Sequence, residues 1–354
     1  MSTRALGLCS ALLLSTLWMF AVYEAKHTWA LVLAAGDGSR LHSLTTTTAG
    51  VAVPKQFCSL RGGPSLLHEA LWRARAVATP QHTCVIVARQ HGAWWKRPLG
   101  HLPEANVIVQ WKNRGTGNGI LLPLLHIAKR DPEAVVLLLP SDHHVEDERT
   151  LRRSLRESIA QVRLRPDSVL LLGLEPDELD CELGYIVPGG ADGEVRCVER
   201  FVEKPSVELA RTLLKRDALW NAFIVVAHAR TLIDLFAASH PQVTADMQRA
   251  VDSDMAGATG ASETQKLYDR LPTIDFSRDV LQEFPERLRV LSVPACGWSD
   301  LGTPARVART LSCAPAEGCR AMEGLTGDEG DETFAPFAGV LNLAERHTAL
   351  RASG

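Results

Sequence analysis

Five short apolar runs recur along the first half of the chain, at residues 29–35 (WALVLAA), 84–88 (CVIVA), 107–110, 134–139 (AVVLLL) and 168–172 (SVLLL). Between them lie stretches with helical spacing at 66–77, 119–130 and 150–164. Runs of Val, Leu and Ile too short for helices, with no alternating polar residues, read as strands buried on both faces. Strands alternating with helices give an α/β chain: a doubly wound, mostly parallel sheet covered on both sides. Ligands of such sheets sit at the carboxyl ends of the strands. Past residue 180 the rhythm becomes shorter and more antiparallel, with strands expected at 184–187, 195–203, 222–227 and 288–293 and helices at 206–215 and 230–239. A smaller mixed part is therefore expected after the parallel one. The polar stretch 252–264 reads as a mobile loop, and 318–332, rich in Gly, Asp and Glu, as a linker.

With 354 residues, 46% of them hydrophobic, the chain can bury one large α/β core with appendages or two modest ones. A net charge of -3 provides no basic field for nucleic acid, and leaves open a local pocket for a small anionic substrate. The eight cysteines show no C-x-x-C pair, so they read as reduced thiols of a cytoplasmic protein, Cys313 and Cys319 being the nearest to a pair. Residues 5–22 are almost wholly apolar and imitate a signal peptide or short span. Translation starting at Met19 would remove most of that stretch; a membrane-tethering helix is the alternative, and membrane contact is expected only through this extension.

The loop after the first run carries the most chemistry. Ala34, Ala35, Gly36 and Gly38 are small enough for backbone N–H groups to close on an anion, and Arg40 and Lys55 supply positive charge for phosphates. The P-loop pattern G-x-x-x-x-G-K-[ST] is absent, and Gly36 and Gly38 lack the third glycine of the dinucleotide fingerprint. Taken alone, a glycine loop after a strand is more often an ordinary tight turn.

The segment LAAGDGSRL followed by PKQF resembles the opening motif of the sugar-phosphate nucleotidyltransferases, and within them the mannose-1-phosphate guanylyltransferases. The resemblance continues in order through NRGTGNGI, LPSDH, Gly184-Tyr185-Ile186, FVEKP, WNAF, DFSRDVL and WSDLG, covering residues 27–310. It implies a Rossmann-like nucleotidyltransferase domain with a nucleotide half at about 27–175 and a sugar half at about 176–310. Residues 1–26 are then an apolar extension and 311–354 a partly disordered tail, with a cap or homodimer contact as its alternatives. Some relatives carry an isomerase domain, for which this chain ends too early, so no isomerase activity is expected.

The implied reaction joins a nucleoside triphosphate, GTP by the nearest resemblance, to a sugar 1-phosphate, mannose 1-phosphate by the same token, giving GDP-mannose and pyrophosphate. Two polyanions must be aligned and their developing charge offset, which a Mg²⁺ ion on one or two carboxylates does well. Asp142, just past a buried strand, and Asp300, in WSDLG, are the implied metal ligands, with Arg40, Lys55 and Asp142 as the catalytic set. Ser39, Gly115 and Thr116 join the loop glycines around the nucleotide, while Gly184, Tyr185, Glu203, Lys204 and Asn221 hold the sugar phosphate. His143 and His144 are supporting residues, because adjacent side chains on an extended stretch point to opposite faces and Mg²⁺ prefers oxygen.

Two departures bear on specificity. WNAF stands where the family has WNSG, and Asn118-Gly119 where the guanylyltransferase motif often has Ala-Pro. The same chemistry on another nucleotide and hexose 1-phosphate pair therefore stays open, as does a non-catalytic regulator that binds a nucleotide-sugar. A glycosyltransferase would show a D-x-D motif at a strand end, and none is present.

Overall fold

The computed structural model describes residues 26–257, 262–312 and 341–352. The apolar N-terminal stretch, the start at Met19, the 318–332 linker and the Cys313–Cys319 pair lie outside them. Nine strands form one sheet: β1 (Thr28–Ala34), β2 (Thr83–Ala88), β3 (Val107–Gln110), β4 (Val135–Pro140), β5 (Val169–Leu174), β6 (Tyr185–Asp192), β7 (Val195–Val202), β8 (Leu219–His228) and β9 (Leu288–Val293). Their order is β3-β2-β1-β4-β8-β5-β9-β7-β6, with β6 also pairing β8. Strands β1 to β6 and β9 run one way, and β7 and β8 run against them, so the sheet is mostly parallel in direction. β1 is flanked by β2 on one side and β4 on the other. The winding therefore switches sides beside the carboxyl end of β1, where such sheets open a crevice.

The alternation of side chains along β1 divides the core. Ala30, Val32 and Ala34 face Leu66, Leu67 and Leu71 of α1 (Leu66–Ala74) and Leu151, Leu155 and Ile159 of α3 (Glu148–Leu164). Trp29 and Leu31 face Ile120, Leu121 and Leu124 of α2 (Gly115–Arg130), with Leu232 and Phe236 of α5 (Ala229–Ser239) beyond. Each fully buried Leu or Ile is worth roughly 1.5–3 kcal/mol of transfer free energy, so both helical layers are held chiefly by these faces. The double winding expected from the apolar runs is present. α4 (Val207–Leu214) follows β7.

Local hydrogen bonds set two helix starts that periodicity placed late. Asp147 accepts a hydrogen bond from the Thr150 N–H at 3.1 Å, which starts α3 at Glu148. α2 begins at Gly115, ahead of the expected 119, because the Gly117 N–H donates to the Ile274 carbonyl at 2.8 Å and the Gly115 N–H to Asn113 Oδ1 at 3.1 Å. The expected loop at 252–264 is corrected in the same way. α6 (Pro241–Met255) occupies its first part, and α7 (Glu263–Tyr268) starts in its last part. Asp254 Oδ1 accepts from the Glu263 N–H at 2.7 Å and Oδ2 from the Thr264 N–H at 3.1 Å, tying the two helices together. α8 (Pro304–Ser312) follows WSDLG, and α9 (Leu343–Ala352) packs back on the first loops, with Leu343 buried and its N–H on the Ser59 carbonyl at 2.8 Å. Among the described residues, no helix is long and apolar enough to cross a membrane.

Candidate active site

A cleft of about 500 Å³ opens at the carboxyl ends of β1 and β4. β8 runs against β4 and β5, so its beginning, where Asn221 lies beside Gly173, meets the same end of the sheet. Tyr185 at the start of β6 pairs with Trp220, which brings Gly184 to that level too. The register of two antiparallel strands thus carries the sugar-half motifs to the glycine loop.

The loop itself is shaped by close approach. Gly38 has φ +63°, and a Cβ there would stand 3.0 Å from the Lys55 backbone N, whereas Gly36 faces open space. Gln56, buried, donates from Nε2 to the Ala34 and Gly36 carbonyls at 3.0 and 2.9 Å and so fixes the loop from below. Gly36, Gly38, Ala35 and Arg40 line the cleft. Ala34 lies wholly inside β1 and Ser39 is exposed outside the lining, so these two expected contacts are not brought to the cleft.

Asp142 and Asp300 both line the cleft. They are joined by a short antiparallel bridge in which the His144 and Ser299 N–H groups each donate to the other's carbonyl at 2.9 Å. Lys55 completes the link: its ammonium lies 2.8 Å from Asp142 Oδ2 and donates to the Asp300 carbonyl at 2.6 Å. The Lys55 side chain is only 6% exposed and is not part of the lining, so it sits beneath the floor rather than facing a phosphate. Burial alone would raise the Asp142 carboxyl, but the Lys55 ammonium and His143 outweigh it and hold it below the ordinary range. For Asp300, burial is likewise outweighed, by Arg306, His143 and Lys55. Arg306 of α8 is buried against Asp300 Oδ1, Asp180 Oδ2 (2.5 Å) and the Trp220 ring, so each carboxylate already has one fixed cation.

Burial pushes His143 down to about 4, so it is neutral near pH 7. Trp298 Nε1 donates to its Nδ1 at 3.2 Å, which leaves the proton on Nε2, 3.7 Å from Asp142 Oδ1. Arg73 of α1 supports this segment from behind, donating to the His143 carbonyl at 2.9 Å and to Glu148 Oε1 at 2.7 Å. Losing one partner of such a buried pair costs about 3–5 kcal/mol, so the Asp142 loop rests on a rigid base. Among the described residues, no three His, Cys, Asp or Glu side chains converge as a ready metal cage. A cation would lean on Asp142 and Asp300, with water and phosphate oxygens for the rest, a donor set that suits Mg²⁺.

At the other end of the cleft, Gly184, Glu203, Lys204 and Asn221 line the wall, joined by Asp275, Ser277 and Phe223. A Cβ on Gly184 would meet Glu203 Oε2 at 2.6 Å, so only glycine lets the carboxylate lie there. Burial and then Asp275 push the Glu203 carboxyl up to about 7. Tyr185 is a correction: it is fully buried in β6, and its hydroxyl accepts from the Asp180 N–H at 3.2 Å. Lys204, Phe223 and Leu301 all have positive φ (47°, 55° and 47°), a conformation costing a bulky residue about 1–2 kcal/mol, and all three flank the cleft motifs. Across the cleft mouth, Arg40 Nη1 and Lys204 Nζ lie 3.2 and 3.8 Å from Glu182 Oε2.

Gly115 and Thr116 line the cleft, but Arg114 turns away, donating to the Tyr268 and Asp269 carbonyls at 3.0 and 2.9 Å. Thr116 Oγ1 accepts from the Phe276 N–H at 2.9 Å. Gln110, at the end of β3, escapes sequence reasoning because it belongs to no motif. It is buried, lines the cleft, and its Oε1 has no hydrogen-bond partner.

Comparison with known proteins bears on the whole of this frame. The chain is 26% identical over 278 residues to the xanthan biosynthesis protein XanB of Xanthomonas campestris pv. campestris (strain B100), covering 77% of this chain and 57% of that protein. It is 29% identical over 287 residues to the mannose-1-phosphate guanylyltransferase ManC of Salmonella typhimurium, with the same coverage. It thus spans little more than half the length of these relatives. The crystal structure of the mannose-1-phosphate geranyltransferase of Thermus thermophilus superposes with a TM-score of 0.68 at 27% identity, covering 82% of this chain and 81% of that one. A UDP-glucose pyrophosphorylase complexed with UDP-glucose, at 12% identity and a TM-score of 0.51 over 80% of this chain and 96% of that one, shares the fold. The nucleotidyl transferase family model matches residues 29–310, which hold nearly the whole sheet and the cleft, and the chain belongs to that family.

Proposed function

We propose that the cleft transfers a nucleotidyl group from a nucleoside triphosphate to a sugar 1-phosphate, most directly GTP to mannose 1-phosphate, releasing pyrophosphate. The observation that carries this reading is the meeting, in one cleft, of an anion-closing glycine loop with Arg40, a carboxylate pair, and a wall of Glu203, Lys204 and Asn221. In the reaction a phosphate oxygen of the sugar 1-phosphate attacks the α-phosphorus, and the bond from that phosphorus to the β-bridging oxygen breaks. Backbone N–H groups at Gly36 and Gly38, with Arg40, bind the triphosphate. Lys204 meets the sugar's phosphate, while Glu203 and Asn221 accept from and donate to its hydroxyls. Lys55 is a positioning residue: it keeps Asp142 ionised and ties the two aspartate motifs together. A Mg²⁺ ion held by Asp142 and Asp300 would offset negative charge on the phosphates. No side chain is placed as a covalent nucleophile among the described residues, so a single in-line displacement fits best.

A second reading keeps the chemistry and changes the pair. The amide of Gln110 both donates and accepts, so it matches the adjacent N–H and carbonyl of uracil or thymine as well as those of guanine. Pyrophosphate release would be measured with Mg²⁺ across the common nucleoside triphosphates crossed with mannose, glucose and N-acetylglucosamine 1-phosphates. Turnover with GTP and mannose 1-phosphate, falling by about a hundredfold or more in Asp142→Ala, is the expected result. Turnover on another pair selects the second reading. No turnover on any pair, with a nucleotide-sugar still bound, rejects catalysis in favour of a regulator.

A further inference from the structure

Phe223 is a bulky residue in a place that asks for glycine. Its φ of +55° lies in the left-handed region, where glycine is at ease and a β-carbon crowds the backbone. The conformation is fixed from both sides. The Phe223 N–H donates to Asn221 Oδ1 at 3.1 Å, and its ring meets Phe276 edge-on, with centroids 6.3 Å apart. Phe276 is fully buried and stacks in turn on Phe236 at 5.6 Å, so the ring is backed by a buried aromatic column. Phe223 nonetheless lines the cleft beside Gly184, Glu203 and Asn221. Strained residues persist where the surroundings over-determine them, and they concentrate at binding sites.

We propose that Phe223 is a steric gate of the sugar pocket, restricting it to hexose 1-phosphates without a bulky ring substituent and turning away N-acetylhexosamine 1-phosphates. The inference rests on the reading that this wall holds the sugar. A rigid aromatic ring removes the volume an acetamido group would need, and offers no hydrogen bond to its amide. Because the strain belongs to the backbone, shortening this side chain opens the pocket without breaking the fold.

The test compares kcat/KM for mannose 1-phosphate and N-acetylglucosamine 1-phosphate, with GTP and with UTP, in the wild type and in Phe223→Gly. Phe223→Asn, a smaller residue that tolerates positive φ, is the second variant. The wild type should favour mannose 1-phosphate, and both variants should lower that ratio about tenfold or more, the scale on which pockets discriminate by small increments of volume. A ratio essentially unchanged from the wild type in both variants, or a wild type that favours N-acetylglucosamine 1-phosphate, overturns the gate. Calorimetry with GDP-mannose and UDP-N-acetylglucosamine separates the two readings. A variant that gains the second ligand without any turnover keeps the gate and rejects catalysis. A protein that binds neither, wild type or variant, overturns both.

Discussion

Glu203 shows how far a single residue's surroundings set its chemistry. Burial, and then the Asp275 charge, hold its carboxyl at about 7 instead of the usual 4.5. An ionised carboxylate accepts a sugar hydroxyl more strongly than the neutral acid does, so KM for the sugar 1-phosphate should fall as pH rises from about 6 to 8. At about pH 6 roughly a tenth of the carboxyl is ionised, which raises KM there by at most roughly tenfold over its plateau. The substrate phosphate titrates in the same range, so Glu203→Gln is the control that keeps the substrate's titration and loses the protein's. Parallel KM profiles for wild type and variant would exclude Glu203 from sugar recognition. The sign for stability follows from the same shift: a carboxyl raised in the folded state costs stability as pH climbs from about 4.5 to 7. Glu203→Gln should therefore be the more stable protein at about pH 8 and equal to the wild type at about pH 4. Sequence reasoning reaches Asp142 and Glu203, which follow strands, and reaches Asp300 only through the family resemblance of WSDLG. It misses Gln110 and Arg306, whose roles arise only from contacts across the fold.

Among elements, the strands are the most legible: β2, β4 and β5 are buried along their whole length and lie within two residues of the apolar runs that predict them, and β3 and β9, each only partly covered on one face, still fall where the apolar pattern puts them. Helix starts and glycine-rich turns are less so, since their stability comes from partners far along the chain. The amino end of α2 is the clearest case. Gly115 has φ +82°, and a Cβ there would lie 2.2 Å from the Ile274 carbonyl oxygen, so this glycine serves the docking of residues 272–276 as much as any nucleotide. Gly50 has a matching φ of +79° with nothing within 4 Å, and provides the control. Gly50→Ala should cost the backbone strain alone, about 1–2 kcal/mol. Gly115→Ala should cost clearly more and raise KM for the nucleotide, because the segment carrying Ile274 and Phe276 must move. Urea unfolding of the two variants checks this; equal losses would mean that the contact with Ile274 carries no stability.

At the scale of the whole molecule, one sheet carries both substrate walls, and charged side chains from loops of its two halves meet at the cleft mouth. Glu182 stands there between Arg40 of the first half and Lys204 of the second, at 3.2 and 3.8 Å. Those are the two cations assigned to the substrates' phosphates. A carboxylate thus stands where anions are to arrive, and each substrate must displace it. The three side chains are 40–54% exposed, and exposed ion pairs are worth about 0–1 kcal/mol, so the competition is mild. Glu182→Gln should lower KM for both substrates about two- to fivefold, leave thermal stability within error, and keep its advantage only at low ionic strength, where screening is weak. Steady-state kinetics from about 20 to 500 mM salt, over which the Debye length shrinks from well above the cleft's ion-pair distances toward them, read this directly. A variant whose KM rises instead would show that Glu182 holds the two cations in place for the phosphates, and that the mouth is pre-assembled rather than self-screened.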